Sequence, residues 1–276
     1  MALDAHRHFW HYTDAEFGWI ADDCLRRDFL PTDCGGMDPC IAVEARQCVE
    51  ETKGLLDLAD KHDFIKGVVG WLPLAAPDFP RMLEEFLAEE QKKQEKQKKE
   101  SKLVGLRHVV QDEPDDGFIL RPDFVRGVRH ALAQGLAYDI LVFERQLPNV
   151  LKFVDALPDD ARLVLDHLGK PAAFESWRVR VTELARRANV FCKLSGLVTE
   201  IGVAADPRPY LDVALEAFGP ARLMFGSDWP VVTAHLPYGD WKRCVEDFLV
   251  PLAGADQTKI MSANAAVFYG VKGETR

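Results

Sequence analysis

The chain has 276 residues, 47% of them hydrophobic, and a formal net charge of −10 at pH 7. This is enough apolar sequence to bury one large core, and we predict a single domain spanning residues 1–276. The negative charge disfavours nucleic acid and anionic membranes as partners, because both repel an acidic surface. The sequence contains no run of about 18 apolar residues, so it offers no candidate for a bilayer-spanning helix.

The N-terminal sequence and the cysteines both indicate an intracellular protein. Charged residues and histidines stand where a secretory signal would need an apolar stretch. The six cysteines are scattered and form no C-x-x-C pair. Such cysteines are typical of free thiols in a reducing compartment. We therefore expect a cytoplasmic location.

Apolar runs of strand length recur along the whole chain. Eight of them are candidate β-strands, at 2–8, 40–45, 65–71, 103–109, 137–143, 162–167, 190–194 and 222–227. Segments with apolar residues at helical spacing lie between most of them, at 50–62, 81–91, 123–134, 147–157, 174–188 and 209–218. Alternating strands and helices predict a parallel sheet with right-handed crossovers.

The fold class predicted from this alternation is α/β, as a (β/α)8 TIM barrel. Eight strand–helix repeats favour closure of the sheet into a barrel. The alternative is an open doubly wound sheet, which usually has a Gly-rich phosphate loop after its first strand. No such loop follows the first predicted strand.

Two segments fall outside the alternation of strands and helices. Residues 89–100 are twelve consecutive polar residues with charges of both signs. We predict that they form a solvated helix extension outside the barrel, since the mixed signs argue against a nucleic-acid-binding tail. Residues 11–36 form a long loop with many charged and aromatic residues. At the C-terminal face of a barrel, such a loop shapes the substrate pocket.

Ionisable side chains stand at the ends of several predicted strands. His6 and His8 are two residues apart on the first strand, so their imidazoles share a face. His167 and Asp228 stand at the ends of the sixth and eighth predicted strands. Because TIM barrels place their chemistry at the C-terminal ends of the strands, these four are the candidate catalytic residues. A capping role for His167 and a turn role for Asp228 are the structural alternatives.

Seven stretches of the sequence carry a family resemblance: residues 4–10, 50–56, 67–71, 105–114, 165–171, 192–197 and 224–231. Together they resemble the sugar-acid lactonases of the amidohydrolase superfamily. This branch includes L-fuconolactonase and L-rhamnono-lactonase and is related to 2-pyrone-4,6-dicarboxylate lactonase. The resemblance covers essentially the whole chain. It implies a TIM-barrel hydrolase that opens a sugar-derived aldonolactone to the free aldonic acid.

The resemblance also bears on metal binding. Metal-dependent members of the superfamily add a strand-4 lysine or glutamate, a strand-5 histidine, or both, to the His-x-His pair and the strand-8 aspartate. The predicted fifth strand has no histidine, and a tightly held zinc ion needs three or four ligands. We therefore expect a weak or dispensable divalent site, with zinc as the candidate ion. Its ligands would be His6, His8 and Asp228.

Glu44 is the candidate for a fourth metal ligand. It lies near the end of the second predicted strand, where the family more usually has a glutamine. The structural alternative is that Glu44 pairs with an arginine, either Arg46 or Arg107.

Lactone hydrolysis needs a base for the attacking water and groups that stabilise the oxyanion. We predict that Asp228 is the base. The histidines would polarise the carbonyl directly or, for His6 and His8, through a metal ion, and His167 could also protonate the leaving ring oxygen. The residues predicted to bind the substrate are Arg107, His108, Lys193 and Trp71. Only one of the neighbours Arg107 and His108 can face inward.

Two other functions remain alternatives on the sequence alone. The first is a zinc-dependent amidohydrolase or decarboxylase, which the missing strand-5 histidine disfavours. The second is a non-catalytic barrel, which is disfavoured because the histidines and Asp228 are all present. The predicted partner is a small-molecule sugar lactone. It is expected to be neutral and unphosphorylated, because the surface is acidic and there is no phosphate-binding glycine loop.

Overall fold

Eight parallel strands pair in sequence order in the computed structural model, which describes residues 2–272. The ends of the predicted domain, residues 1 and 273–276, lie outside the described residues. The strands are β1 (Asp4–Arg7), β2 (Cys40–Val43), β3 (Ile65–Gly70), β4 (Leu103–Val109), β5 (Ala137–Leu141), β6 (Leu163–Leu165), β7 (Val190–Leu194) and β8 (Leu223–Phe225).

The segment after β8 returns to β1 and brings the sheet close to full closure. The backbone N–H of Asp228 donates to the carbonyl of His6 (2.9 Å), and that of His8 donates to the carbonyl of Trp229 (2.7 Å). These bonds link the two edges of the sheet. The predicted (β/α)8 barrel is thereby confirmed.

Helices surround the sheet. They are α1 (Val49–Lys61), α2 (Phe79–Gln97), α3 (Pro122–Ala133), α4 (Leu147–Asp155), α5 (Phe174–Ala185), α6 (Leu197–Ile201), α7 (Arg208–Phe218), α8 (Tyr238–Leu249), α9 (Gly254–Thr258) and α10 (Asn264–Tyr269). The six predicted helices correspond to α1–α5 and α7. The helix α8 was missed, because its buried face consists of one residue per turn: Trp241, Val245 and Leu249. Within residues 2–272, no helix is both long and apolar enough to cross a membrane.

Several predicted strands end earlier than the apolar runs suggest. β1 ends at Arg7 and β6 ends at Leu165, so His8 and His167 lie in the loops that follow. Asp228 likewise lies beyond β8. His167 and Asp228 have φ angles of 53° and 59°, which is left-handed backbone that cannot continue a strand. The prediction that His8 and His167 lie on strands was therefore wrong, although all three residues stay at the C-terminal end of the barrel.

The interior of the barrel changes from apolar to charged along its axis. Residues two apart on a strand share a face, and on β5 this stacks Ala137 below Asp139. The same pattern places Val164 of β6 below Asp166, which directly follows this strand, and Phe191 below Lys193 on β7. The apolar residues pack with Phe268 and Tyr269 of α10. The charged layer lies directly beneath the C-terminal rim.

The polar segment 89–100 is only partly solvated. The predicted helix extension is confirmed, since α2 continues to Gln97. However, Glu90 and Gln94 are buried, and the Gln94 side-chain amide donates to the Asp60 carboxylate of α1 at 3.0 Å. Lys93 also pairs with Asp60, at 2.7 Å. One face of the extension therefore joins α2 to α1 through polar contacts, and the prediction of a fully solvated segment was wrong there.

Candidate active site

A cavity of about 490 Å³ opens at the C-terminal end of the barrel. Its wall includes His8, Arg107, His167 and Asp228. Six further lining residues lie between Glu16 and Leu25, within the long loop of residues 11–36. This confirms the prediction that the loop shapes the pocket.

His6, His8 and Asp228 meet at the floor of the cavity. The Nε2 atoms of His6 and His8 are 3.1 Å apart. Asp228 Oδ1 lies 3.4 Å from Nε2 of His8 and 3.8 Å from Nε2 of His6. His6 has no exposed surface, and the other two are buried. His6 and His8 from the start of the sequence thus meet Asp228 from near its end, as predicted from their positions at the C-terminal ends of the strands.

The orientation of His8 is defined by a backbone carbonyl. Nδ1 of His8 lies 2.8 Å from the carbonyl oxygen of Val43, at the end of β2. A carbonyl oxygen can only accept, so Nδ1 carries the proton. The other ring nitrogen of His8, Nε2, therefore faces His6 and Asp228.

His167 reaches the same floor from a strained turn. Its ring lies 4.5 Å from the ring of His6, and Nδ1 is 2.9 Å from the hydroxyl of Ser195. Gly196 packs flat against the ring, since a Cβ there would come within 2.5 Å of Nδ1. Burial lowers the pKa of His167 to about 4. A left-handed backbone and a glycine therefore hold a neutral imidazole in place.

Asp228 is held as a carboxylate. Burial raises the pKa of this group, but the nearby imidazoles, His167 first and then His8 and His6, have the larger combined effect. The pKa of Asp228 consequently lies well below its ordinary value. The low pKa keeps Asp228 ionised, so that it can orient a water molecule by accepting its hydrogen bond. Because the same low pKa makes the carboxylate a weak base, the proton transfers only as the water oxygen attacks and becomes more acidic.

Arg107 is the inward-facing residue of β4. Its Nε donates to Glu44 Oε1 (2.8 Å) and its Nη1 to Asp166 Oδ2 (3.1 Å). Nη1 also lies 3.2 Å from Nε2 of His6. The structure therefore places Glu44 in an ion pair with Arg107, one of the two arginines considered as its partner.

Lys193 lies below the cavity rather than in its wall. It has no exposed surface and forms ion pairs with Asp139 (2.5 Å) and Asp166 (2.9 Å). Its Nζ is also 3.2 Å from Nδ1 of His6. The Tyr269 hydroxyl completes this layer with a 2.9 Å bond to Asp139. Lys193 thus supports His6 from the side opposite to the cavity.

His108 and Trp71 lie away from the cavity floor. The imidazole of His108 stacks on Phe118 at 4.9 Å between ring centres and pairs with Glu113 at 2.7 Å. The indole N–H of Trp71 donates to Nδ1 of His108 (3.1 Å). Neither residue belongs to the cavity wall. Of the four residues predicted to bind substrate, the structure places only Arg107 there.

The donor atoms at the floor fit a divalent metal ion. Ligand atoms of His6, His167 and Asp228 all lie within 4.8 Å of one another, and Nε2 of His8 adds a nearby donor. Tetrahedral zinc sites separate their ligand atoms by about 3.3 Å, close to the distances around Nε2 of His8. The Arg107 guanidinium opposes a bound cation, because it lies against Nε2 of His6.

Sequence reasoning did not single out several polar residues of the cavity wall outside the loop of residues 11–36: Arg46, Gln47, Gln111, Asp112, Lys170 and Thr199. Gln111 and Lys170 lie within stretches 105–114 and 165–171, which carry the family resemblance, so a signal was present for them. Nothing in the sequence singles out Thr199. It faces the cavity because the short helix α6 follows β7 directly.

Fold and site together define a TIM-barrel enzyme with a histidine–aspartate centre, and comparison with known proteins identifies its family. The amidohydrolase family model matches residues 3–271. The chain is 39% identical to an L-fucono-1,5-lactonase of Burkholderia multivorans, over 98% of this chain and 96% of that protein. It is 35% identical to an L-fucono-1,5-lactonase of Burkholderia ambifaria, over 98% and 95% respectively.

A solved structure agrees with these sequence matches. The crystal structure of an amidohydrolase from Burkholderia multivorans with bound zinc has a TM-score of 0.88 to this structure. It is 40% identical and covers 99% of this chain and 100% of that chain. The chain belongs to the amidohydrolase family. The resemblance to its sugar lactonases is thereby confirmed.

Proposed function

We propose that this protein is a lactonase, which hydrolyses the ester bond of a sugar-derived aldonolactone to give the free aldonic acid. The observation that carries the proposal is the buried Asp228 carboxylate, set among His6, His8 and His167 at the floor of the cavity. Two of the relatives described above are named L-fucono-1,5-lactonases. They support the 1,5-lactone of a 6-deoxy sugar such as L-fucose as the substrate. A more distant relative, an L-rhamnono-gamma-lactonase of Scheffersomyces stipitis that is 27% identical over 61% of this chain, extends the candidates to a 1,4-lactone of L-rhamnose.

In the proposed reaction, Asp228 orients a water molecule and accepts its proton as the water oxygen attacks the lactone carbonyl. The carbonyl oxygen becomes the oxyanion of a tetrahedral intermediate. Collapse of this intermediate breaks the bond to the ring oxygen, which takes up the proton held by Asp228 as the ring opens. The new carboxylic acid then loses its own proton to solvent. The products are one carboxylate and one hydroxyl on the same molecule.

The oxyanion is stabilised by donors that the fold positions before the reaction. Arg107 lies beside His6 at the cavity floor and remains charged, because two carboxylates surround it. His167, neutral at pH 7 because burial lowers its pKa to about 4, is a hydrogen-bond donor rather than a strong acid. Preorganised donors of this kind are usually the largest contribution to acyl-transfer catalysis.

The charges of the cavity wall favour a neutral substrate. Three cationic side chains line the cavity: Arg46, Arg107 and Lys170. Each already has a carboxylate partner, since Arg46 pairs with Glu16, Arg107 with Glu44, and Lys170 with Glu200 at 3.3 Å. A phosphate group would have to compete for cations that are already neutralised. An unphosphorylated lactone is therefore the expected ligand.

A divalent ion, with zinc the candidate, would be held by His6, His8 and Asp228. When bound, it would supply Lewis-acid polarisation of the carbonyl. We propose that the ion binds weakly and is dispensable, because the guanidinium of Arg107 lies 3.2 Å from Nε2 of His6 and Glu44 is engaged by Arg107. The cytoplasmic location stays a prediction from the sequence.

The test is proton release in weakly buffered solution with a panel of aldonolactones, corrected for spontaneous ring opening. The panel includes L-fucono-1,5-lactone, L-rhamnono-1,4-lactone and a phosphorylated aldonolactone as the charged control. We expect turnover of a neutral 6-deoxy lactone well above background and none of the phosphorylated compound. Hydrolysis of simple amides, or decarboxylation of aromatic acids, without any lactone turnover would refute the proposal.

A further inference from the structure

Two uncharged side chains in the cavity wall, Gln111 and Thr199, are incompletely hydrogen-bonded. Within residues 2–272, the Oε1 atom of Gln111 and the Oγ1 atom of Thr199 are buried and have no hydrogen-bond partner. Both residues line the cavity. Proteins rarely leave buried polar atoms unpaired, because each costs about 1–3 kcal/mol. A pair of them at the wall of one cavity points to a ligand that completes their hydrogen bonds.

The chemistry of the two atoms defines what the ligand must offer. The amide oxygen of Gln111 can only accept, whereas the hydroxyl of Thr199 can accept and donate. Both requirements are met by hydroxyl groups on the ligand. An apolar ligand would leave the two atoms unpaired, and a phosphate or carboxylate oxygen has no proton to donate to Gln111.

Two other polar groups of the cavity wall already have partners within the protein. Oε1 of Gln47, also in the wall, accepts from the backbone N–H of Val109 at 2.9 Å. Lys170 is paired with Glu200 at 3.3 Å. Gln111 and Thr199, in contrast, are uncharged wall residues whose hydrogen bonds a ligand can complete without breaking others. Among residues 2–272, Arg46 Nε also has no hydrogen-bond partner, but its guanidinium is already paired with Glu16.

Gln111 and Thr199 face the cavity from different sides. Gln111 lies in the 3-10 turn Val110–Asp112 that follows β4. Thr199 lies in α6, which follows β7. The two strands are three positions apart around the eight-stranded barrel, while Asp228 follows β8. A ring bound over Asp228 can therefore present separate hydroxyls to the two residues at once.

We propose that Gln111 and Thr199 determine substrate specificity by binding hydroxyl groups of the lactone. This inference rests on the proposed lactonase function and deepens it. The catalytic floor acts on the ester that all lactones share. The two wall residues distinguish a polyhydroxylated lactone from one that lacks hydroxyls.

The experiment compares two substrates, the best aldonolactone of the panel and unsubstituted δ-valerolactone. The variants Gln111→Met and Thr199→Val remove the hydrogen-bonding atoms with little change in shape. For each variant, the ratio of kcat/KM for the aldonolactone to that for δ-valerolactone should fall about 10-fold to 100-fold, the loss expected when a buried hydrogen bond is removed. Thr199→Ser, which keeps the hydroxyl, should retain most of the ratio.

Thr233→Val is the matched control. The Thr233 hydroxyl donates to the carbonyl of Pro230 at 2.6 Å, and this residue does not line the cavity. It should leave the ratio unchanged. Circular dichroism and thermal unfolding check that each variant is folded, and a Thr199→Ser variant as defective as Thr199→Val would contradict a hydroxyl contact.

The possible failures are distinguishable. If wild-type protein opens the aldonolactone but both variants keep the wild-type ratio, the inference is wrong and the lactonase function stands. If wild-type protein opens no lactone, both the proposed function and the inference that rests on it are wrong.

Discussion

The charged layer inside the barrel and the cavity wall above it differ in whether their polar groups have partners within the protein. Lys193 in the layer and Arg107 at the cavity floor each contact two carboxylates. In the wall, Gln111 and Thr199 each have a buried atom without a hydrogen-bond partner among the described residues. The charges of the layer are neutralised within the protein, although Glu44 Oε2 and Asp166 Oδ1 have no hydrogen-bond partner among residues 2–272. A ligand in the cavity can complete the hydrogen bonds of the two uncharged wall residues.

This difference separates two tasks. The charged layer lies against His6 from below and so positions the imidazole, because interactions that are complete before binding cannot change much when substrate arrives. The wall residues gain partners only on binding, which makes them suited to recognition. Asp228 and the histidines lie at the boundary between the two regions, where the chemistry is proposed to take place.

The largest expected effect is the loss of turnover when Asp228, which lies between the layer and the wall, is replaced. Asp228→Asn removes the proposed base but keeps the size of the side chain, so kcat should fall about 10²–10⁴-fold while the fold is retained. Turnover of the best aldonolactone measures it. Asp22→Asn, an exposed aspartate of the same cavity wall, is the control and should change kcat little. Near-normal turnover by Asp228→Asn would remove this residue from the role of base.

The second effect tests whether the charged layer is complete without ligand. Lys193→Met leaves Asp139 and Asp166 facing each other without their shared cation. Breaking a buried ion pair in this way costs about 3–5 kcal/mol, and the loss should appear in urea-induced unfolding. Adding Asp139→Asn to this variant should restore part of the stability.

Arg81→Met is the surface control for Lys193→Met. Arg81 pairs with Glu85 and Asp78, but its side chain is 64% exposed, so the unfolding midpoint should barely move. If Lys193→Met is as stable as wild type and only its KM rises, Lys193 contacts substrate as the sequence predicted, and the division between layer and wall fails there.

The smallest expected effect is that of metal removal. We expect purified protein to hold less than one equivalent of tightly bound zinc, and dialysis against a chelator to leave most of kcat, because a lactone is an activated ester. Elemental analysis before and after dialysis, alongside the lactone assay, measures both quantities. A full equivalent of zinc that survives the chelator would show tight binding, and loss of activity with the metal would make the ion essential.

The fold was predictable because it is encoded in local patterns. Apolar runs mark the strands, and the C-terminal ends of parallel strands must meet, which brought His6, His8, His167 and Asp228 together without knowledge of distances. The inward orientation of Arg107 rather than His108 was left open. It depends on which face of β4 meets the barrel interior, and either residue is chemically acceptable there.

The roles of individual polar residues were harder to predict, because they depend on partners distant in sequence. The sequence shows Lys193 near a strand end but does not show that Asp139 and Asp166 pair with it. Thr199 has no special sequence context at all. Whether a polar atom is paired is a property of the packed structure, and no spacing rule along the chain reports it.

The hydrogen bond from Nδ1 of His8 to the carbonyl of Val43 has a consequence for what can occupy the cavity floor. With the proton of neutral His8 on Nδ1, its Nε2 offers a lone pair towards Nε2 of His6, 3.1 Å away. Two lone pairs cannot face each other so closely without something between them. The single proton of the neutral His6 imidazole therefore lies on Nε2, between the two rings. A divalent ion held by these histidines would require that proton to move to Nδ1 of His6, which lies 3.2 Å from the Lys193 ammonium, or to leave the site. The placement of one proton thus gives a second reason, besides the Arg107 guanidinium, for the ion to be held weakly.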